Sequence, residues 1–201
     1  MNRIFVKGSL VVLALTASGC ATKPSNEAVQ MQHLEESRQT AQEFMQTLGG
    51  TLKKQLQTGG AESAIGVCKQ IAPELAAEYS KDGRVVKRVS LKTRNKVQGT
   101  PDAWEKESLK GFDNAQREGK PVDSIEASMV SNDADGRWFR YMKAIPTQTM
   151  CLQCHGKPAD ISTGVKAMLI KEYPEDKATG YSAGEIRGAI SIKRKLDVVS
   201  K

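Results

Sequence analysis

The pentapeptide Cys151-Leu152-Gln153-Cys154-His155, followed at once by Gly156, constrains this chain more than any other stretch. Two thiols separated by two residues, with a histidine directly after the second, form the attachment signature of a c-type haem. Cys151 and Cys154 are spaced to reach the two vinyl groups of one porphyrin as thioethers. His155 is then the proximal iron ligand. The motif occurs once, so the expected cofactor is a single covalent haem c. Two other chemistries use similar residues. Cys151, Cys154, His155 and Cys68 are ligand types for Zn2+, but a histidine adjacent to a cysteine is an awkward spacing for a tetrahedral site. A thioredoxin-like dithiol needs the two cysteines alone, and the adjoining histidine argues against it.

The haem must be attached outside the cytoplasm, and the N-terminus agrees. Residues 1–19 read as an export signal: Arg3 and Lys7 are followed by an apolar run, Leu10 to Leu15, too short to span a bilayer. Ala17-Ser18-Gly19-Cys20 resembles a lipoprotein box, with Cys20 as the lipidated residue and simple secretion as the alternative. Residues 20–28 are the tether, and residues 29–201 the haem domain. Ala21 after the cysteine suggests the outer membrane, so the expected location is the periplasm, anchored through lipid. Of the formal charge of +7, two units belong to the leader, leaving +5 on the mature chain. The basic residues are scattered among acids with no aromatic interleaving, which excludes a nucleic-acid binder and leaves weak steering of an acidic redox partner.

Four cysteines are present, and once Cys20, Cys151 and Cys154 are assigned, Cys68 stands alone. It lies on one face with Ala64, Ile65 and Ile71, and its two readings are a small buried hydrophobe or a thiolate on the iron. A helix is predicted over residues 26–57, with Leu34, Ala41, Met45, Leu48, Leu52 and Leu56 as its stripe. Gly49-Gly50 marks a break or close contact in it, and His33 is a solvated helix residue. Gly59-Gly60 separates a second helix, 61–72. At Pro73 the ladder kinks or a short helix begins, running through Tyr79.

Residues 84–93 read as a strand. Thr100 is expected to cap a helix with Pro101 in its first position, ending near Gly119. A hairpin follows, with strands 124–131 and 137–144 around a turn at 132–136. Ser162 or Thr163 caps a helix ending before Tyr173, and residues 187–195 form a last strand. The order predicts an α+β fold with an antiparallel sheet packed by helices and an N-terminal helical extension. Met142 and Met150 are rival axial ligands more in keeping with packing, Trp138 and Tyr141 are core residues, and Arg94, Arg137 and Arg140 are candidates to pair with haem propionates.

Several blocks resemble one family of single-haem c-type proteins with a PAS-like fold, described largely as a domain of unknown function. They include Ala64 to Pro73, Arg88 to Asn95, Pro101-Asp102-Ala103-Trp104-Glu105, Tyr141 to Ile145, Cys151 to Gly156, Tyr173 to Tyr181 and Ile186 to Ser191. The resemblance implies a PAS-like sheet packed by helices and a haem with His155 as proximal and Cys68 as distal ligand. The same family occurs as the sensing part of receptors. Two functions follow: an electron-transfer cytochrome, or a haem-based redox or gas sensor acting through a partner. With no distal acid/base pair and the sixth position filled, no enzymatic activity is expected.

Overall fold

The computed structural model describes residues 26–196, so the leader, Cys20 and the first part of the tether lie outside the described residues. The chain opens with α1 (Asn26–Gly66), which already includes residues 26–28. Its buried side chains Ser37, Thr40, Ala41 and Phe44 recur at helical spacing and face the sheet. Leu34, Met45 and Leu48 from the expected stripe pack beside them. Gly49-Gly50 neither breaks the helix nor marks a close contact, since a Cβ on either would meet nothing within 4 Å. The break comes at Gly60, whose φ of 72° a residue with a Cβ adopts only with strain. His33 is packed rather than solvated, its ring 5.9 Å from that of Phe139.

Pro73 has no N–H and cannot close a bond four residues back. The helix answers by widening. Residues Val67–Ile71 form a π-turn in which the Ala72 N–H reaches the Val67 carbonyl, five residues behind it. Then α2 (Ala72–Tyr79) begins with Pro73 in its first turn. Cys68 sits on the π-turn.

Four strands, β1 (Arg84–Val89), β2 (Glu126–Asp133), β3 (Gly136–Pro146) and β4 (Ile186–Lys195), form one antiparallel sheet in the order β1-β4-β3-β2. β1 (Arg84–Val89) is shorter than its apolar alternation suggested, because Ser90 turns the chain away toward α3 (Lys96–Gly99). The Thr100 hydroxyl donates to the Lys96 carbonyl (2.6 Å) and closes that turn, so it is not the cap of the next helix. Asp102 is. It accepts from the Glu105 N–H (3.0 Å) while Glu105 accepts from the Asp102 N–H (2.8 Å), a reciprocal pair that starts α4 (Ala103–Arg117). The hairpin of β2 (Glu126–Asp133) and β3 (Gly136–Pro146) has a tighter turn than expected, with only Ala134 and Asp135 between Asp133 and its partner Gly136. The chain then makes a single turn at Thr149–Cys151 and the short α5 (Leu152–His155). α6 (Thr163–Glu172) is capped by the Ser162 hydroxyl, and β4 (Ile186–Lys195) enters the sheet between β1 and β3.

Alternation along the central strands divides the core. Phe139, Tyr141, Ile190 and Ile192 face α1 and α2, meeting Ala41, Phe44 and Leu75. Met142, Ala144 and Ala189 face the other way, against Leu109 and Phe112 of α4. A third cluster, Ile65, Ile161, Val165, Leu169 and Tyr173, joins the end of α1 to α6 with Cys154 at its border. Each large apolar side chain buried in these layers contributes about 1.5–3 kcal/mol. The arrangement is α+β with an antiparallel sheet, packed helices and an N-terminal helical extension. Among the described residues no helix is long and apolar enough to cross a membrane.

Candidate haem cleft

Between α1, the π-turn, the end of β3 and α5 lies an open cleft of about 1360 Å3, lined by Cys68, Cys151, Cys154 and His155 together. It exceeds the roughly 300–1,000 Å3 of an ordinary small-molecule site. Cys151 and Cys154 are three residues apart across one helical turn, a spacing that puts both on one side. All three thiols are half-buried and free. Among the described residues no three His, Cys, Asp or Glu side chains gather as a metal cluster.

His155 is held from behind. Its Nδ1 lies 2.6 Å from the Ala178 carbonyl, while the His155 and Gly156 carbonyls accept from the Tyr181 (3.0 Å) and Gly180 (2.8 Å) amides. The Tyr181 ring stands edge-on, 6.3 Å away. Burial first, and then the charges of Arg187 and Arg94, hold the His155 pKa well below the ordinary value, so the ring is neutral. A neutral ring has one N–H. The 2.6 Å contact with a carbonyl, which can only accept, fixes that proton on Nδ1 and leaves Nε2 unprotonated, with the Arg94 Nη1 as its donor at 3.5 Å. The Arg187 Nε, 3.2 Å from the same Nδ1, is therefore a neighbouring charge rather than a donor to it.

Arg94 crosses the front of this group. It donates to the Cys154 carbonyl (2.5 Å), pairs with Asp176 (3.0 Å) and comes within 3.5 Å of His155 Nε2. Asp176 in turn accepts from the Ala178 N–H (2.8 Å), which fixes the carbonyl that holds His155. Cys68 faces the same space from the π-turn. Burial raises the Cys154 thiol pKa, with Cys68 and Cys151 adding to it and Arg94 opposing. Burial, reinforced by Cys68, pushes Tyr173 up to about 12.

The other candidates separate cleanly. Met150 lines the cleft, whereas Met142 is packed under α4. Tyr141 is core, as expected, and its hydroxyl donates to Glu126 at 2.9 Å. Trp138 is buried and Lys193 lies over its ring at 4.2 Å. Of the three arginines expected near an anionic cofactor edge, only Arg94 lines the cleft. Arg140 pairs with Asp102 beside α4, and Arg137 begins β3 at the sheet's far end. In their place stand Arg88 and Arg187, two strand arginines not among the sequence candidates. The signal for Arg187 was a lone cation beside the apolar run Gly188-Ala189-Ile190 of a central strand.

An α+β fold whose cleft gathers a C-x-x-C-H motif and a distant cysteine defines the class of protein. Within that class, the chain belongs to the Tll0287-like family, whose model matches residues 23–194. This meets the expectation drawn from the sequence blocks. Among solved structures the chain is similar to the crystal structure of the cyanobacterial heme-protein Tll0287. The two are 23% identical, with a TM-score of 0.54 over 88% of this chain and 100% of that one, a likeness that establishes the fold. No curated protein matches.

Proposed function

We propose that this chain is an exported monohaem c-type cytochrome that transfers electrons. The observation that carries the reading is the cleft that brings Cys68, Cys151, Cys154 and His155 to one space, with the His155 proton held on Nδ1. Cys151 and Cys154 would hold the porphyrin as thioethers, and His155 Nε2 and the Cys68 sulfur would hold the iron. Bound there, the haem supplies a one-electron couple. The chain's own residues do the rest. Ala178 keeps the imidazole in one tautomer and orientation, a role that outer partners of metal-bound histidines share. Asp176 fixes that carbonyl through its amide, and Tyr181 covers the ring. A thiolate on the iron favours the ferric state and lowers the potential. Membership of the family and likeness to a heme-protein support haem binding. Export to the periplasm, anchoring at the outer membrane through Cys20, and exchange with a redox or signalling partner complete the proposal.

A second reading, a haem-based redox or gas sensor, is favoured by one feature. Cys68 lies on a π-turn between residues 61–66, the part of α1 after the Gly60 break, and α2, so a change at its sulfur has a direct route to both segments. Cys68→Ala in the purified holoprotein is expected to convert low-spin ferric haem to high-spin, read by absorption and EPR. Unchanged spectra would exclude the Cys68 ligand. Ferrous haem that stays inert to CO supports electron transfer; rapid, tight CO binding with loss of the sulfur signature supports sensing.

A further inference from the structure

A chamber of about 400 Å3 opens beside the cleft and shares Arg88, Arg94 and Arg187 with it. Arg94 has a counter-ion, Asp176 at 3.0 Å. The other two do not: among the described residues no carboxylate lies within 4 Å of Arg88 or Arg187, and no ion pair forms at either. Arg187 is only 8% exposed. Its contacts are all uncharged: the Ser90 hydroxyl (2.9 Å), the Lys92 carbonyl (3.2 Å), the neutral His155 ring and the face of Tyr181 at 5.3 Å. Arg88, on β1, is half-buried and faces the same chamber. An arginine guanidinium stays protonated in proteins, so Arg187 keeps its charge despite its burial. Buried charges are ordinarily paired, because an uncompensated ion loses its hydration without replacement. This end of the cleft therefore holds two more positive charges than negative ones.

The geometry points to Arg88 and Arg187 as a carboxylate-binding subsite, completed only when a ligand brings its own negative charge into the chamber. Guanidiniums suit carboxylates, and with the Arg187 Nη1 committed to Ser90 and Lys92 its Nη2 remains to donate beside Arg88. The remainder of such a ligand would lie in the adjoining cleft, so the occupant has an anionic end and a large body. The propionates of a porphyrin held at Cys151 and Cys154 have this chemistry, and so does a free carboxylate entering the chamber. The first source rests on the proposed haem function; the second does not.

The test uses the holoprotein and its Arg187→Gln, Arg187→Lys and Arg88→Gln variants, with potentials measured spectroelectrochemically at fixed pH and ionic strength. If propionates occupy the subsite, Arg187→Gln and Arg88→Gln each lower the ferrous-to-ferric ratio. The expected change is about tenfold, from Coulomb's law for a partly buried unit charge at an effective dielectric near 20, or about 59 mV for one electron. Arg187→Lys restores most of it, and added acetate has no effect on the wild type. If a free carboxylate is the occupant, acetate shifts the wild-type potential saturably and Arg187→Gln abolishes the response. Potentials unmoved by both Gln variants and by acetate overturn the subsite. A wild type that carries no covalent haem overturns the haem function instead. In that case saturable acetate stabilisation of the haem-free chain against heat, lost in Arg187→Gln, sustains the subsite, and its absence overturns it.

Discussion

Two buried polar clusters flank β4, and they are built on opposite principles. Under α4, Glu105 is fully buried yet saturated: it accepts from Lys87 (2.9 Å), the Ser191 hydroxyl (2.6 Å) and the Asp102 amide (2.8 Å), with Arg140 3.7 Å away. Two carboxylates, Asp102 and Glu105, meet two cations, Lys87 and Arg140. Around His155, three guanidiniums meet the single carboxylate of Asp176. The first cluster is complete within the chain and fastens α4 to the sheet. The second is complete only with something added. A buried network that closes on itself marks structure, and one left with excess charge marks a place for a ligand.

Uncoupling the balanced cluster should have the largest effect. Glu105→Gln leaves Lys87 and Arg140 without their buried partner and is expected to cost about 3 kcal/mol, at the low end for a broken buried pair because Lys87 is partly exposed. Urea denaturation followed by circular dichroism measures it, and a loss under about 1 kcal/mol would show that the cluster is not holding α4. The unbalanced cluster should respond differently. In a Cys151→Ala, Cys154→Ala background, which cannot take a covalent haem, Arg187→Met is expected to cost less than about 1 kcal/mol, since removing an unpaired charge offsets its lost hydrogen bonds. A cost equal to that of Glu105→Gln would erase the distinction between the two clusters.

The smallest effect lies in acid. Burial works to raise the Asp102 pKa, but the Glu105 N–H and Arg140 outweigh it and hold the carboxyl below its ordinary value. A depressed folded-state pKa stabilises above the unfolded value, about 3.9, and that stability is lost as pH falls through the folded value. Asp102→Asn is therefore expected to flatten the decline of the unfolding midpoint below about pH 4 while also lowering it modestly at neutral pH. A thermal melt series from pH 6 to acid reads both; an unchanged slope would mean that Asp102 titrates as it does in the unfolded chain.

Much of the fold was legible because it rests on periodicity. The alternation of β3 and β4, the stripe of α1 and the hydroxyl cap of α6 are local signals, and each formed within a few residues of its expected place. The misses are also instructive. Thr100 looked like a cap, but Asp102 with Glu105 three residues on satisfies two amides at once. Gly49-Gly50 looked like a break, but within α1 it is Gly60 that takes a positive φ. The hairpin turn shrank to two residues because Asn132 and Asp133 pair with Arg137 and Gly136. In the site, Cys151, Cys154 and His155 were visible as a contiguous motif. Arg187 had only the faint signal of a lone cation beside an apolar run, and nothing near Arg88 distinguishes a strand arginine in solvent from one facing a cleft.

The C-x-x-C-H motif, the solitary cysteine and the helix–strand order follow from the sequence, because all depend on spacings of a few residues. Only the tertiary structure decided that Cys68 and His155 share a cleft, and that a proline-driven π-turn presents the thiol. It also decided which arginines lack counter-ions. Burial and charge balance depend on what arrives from distant parts of the chain: Arg187 comes from β4, Arg88 from β1, Asp176 from the loop after α6. No local pattern encodes that sum.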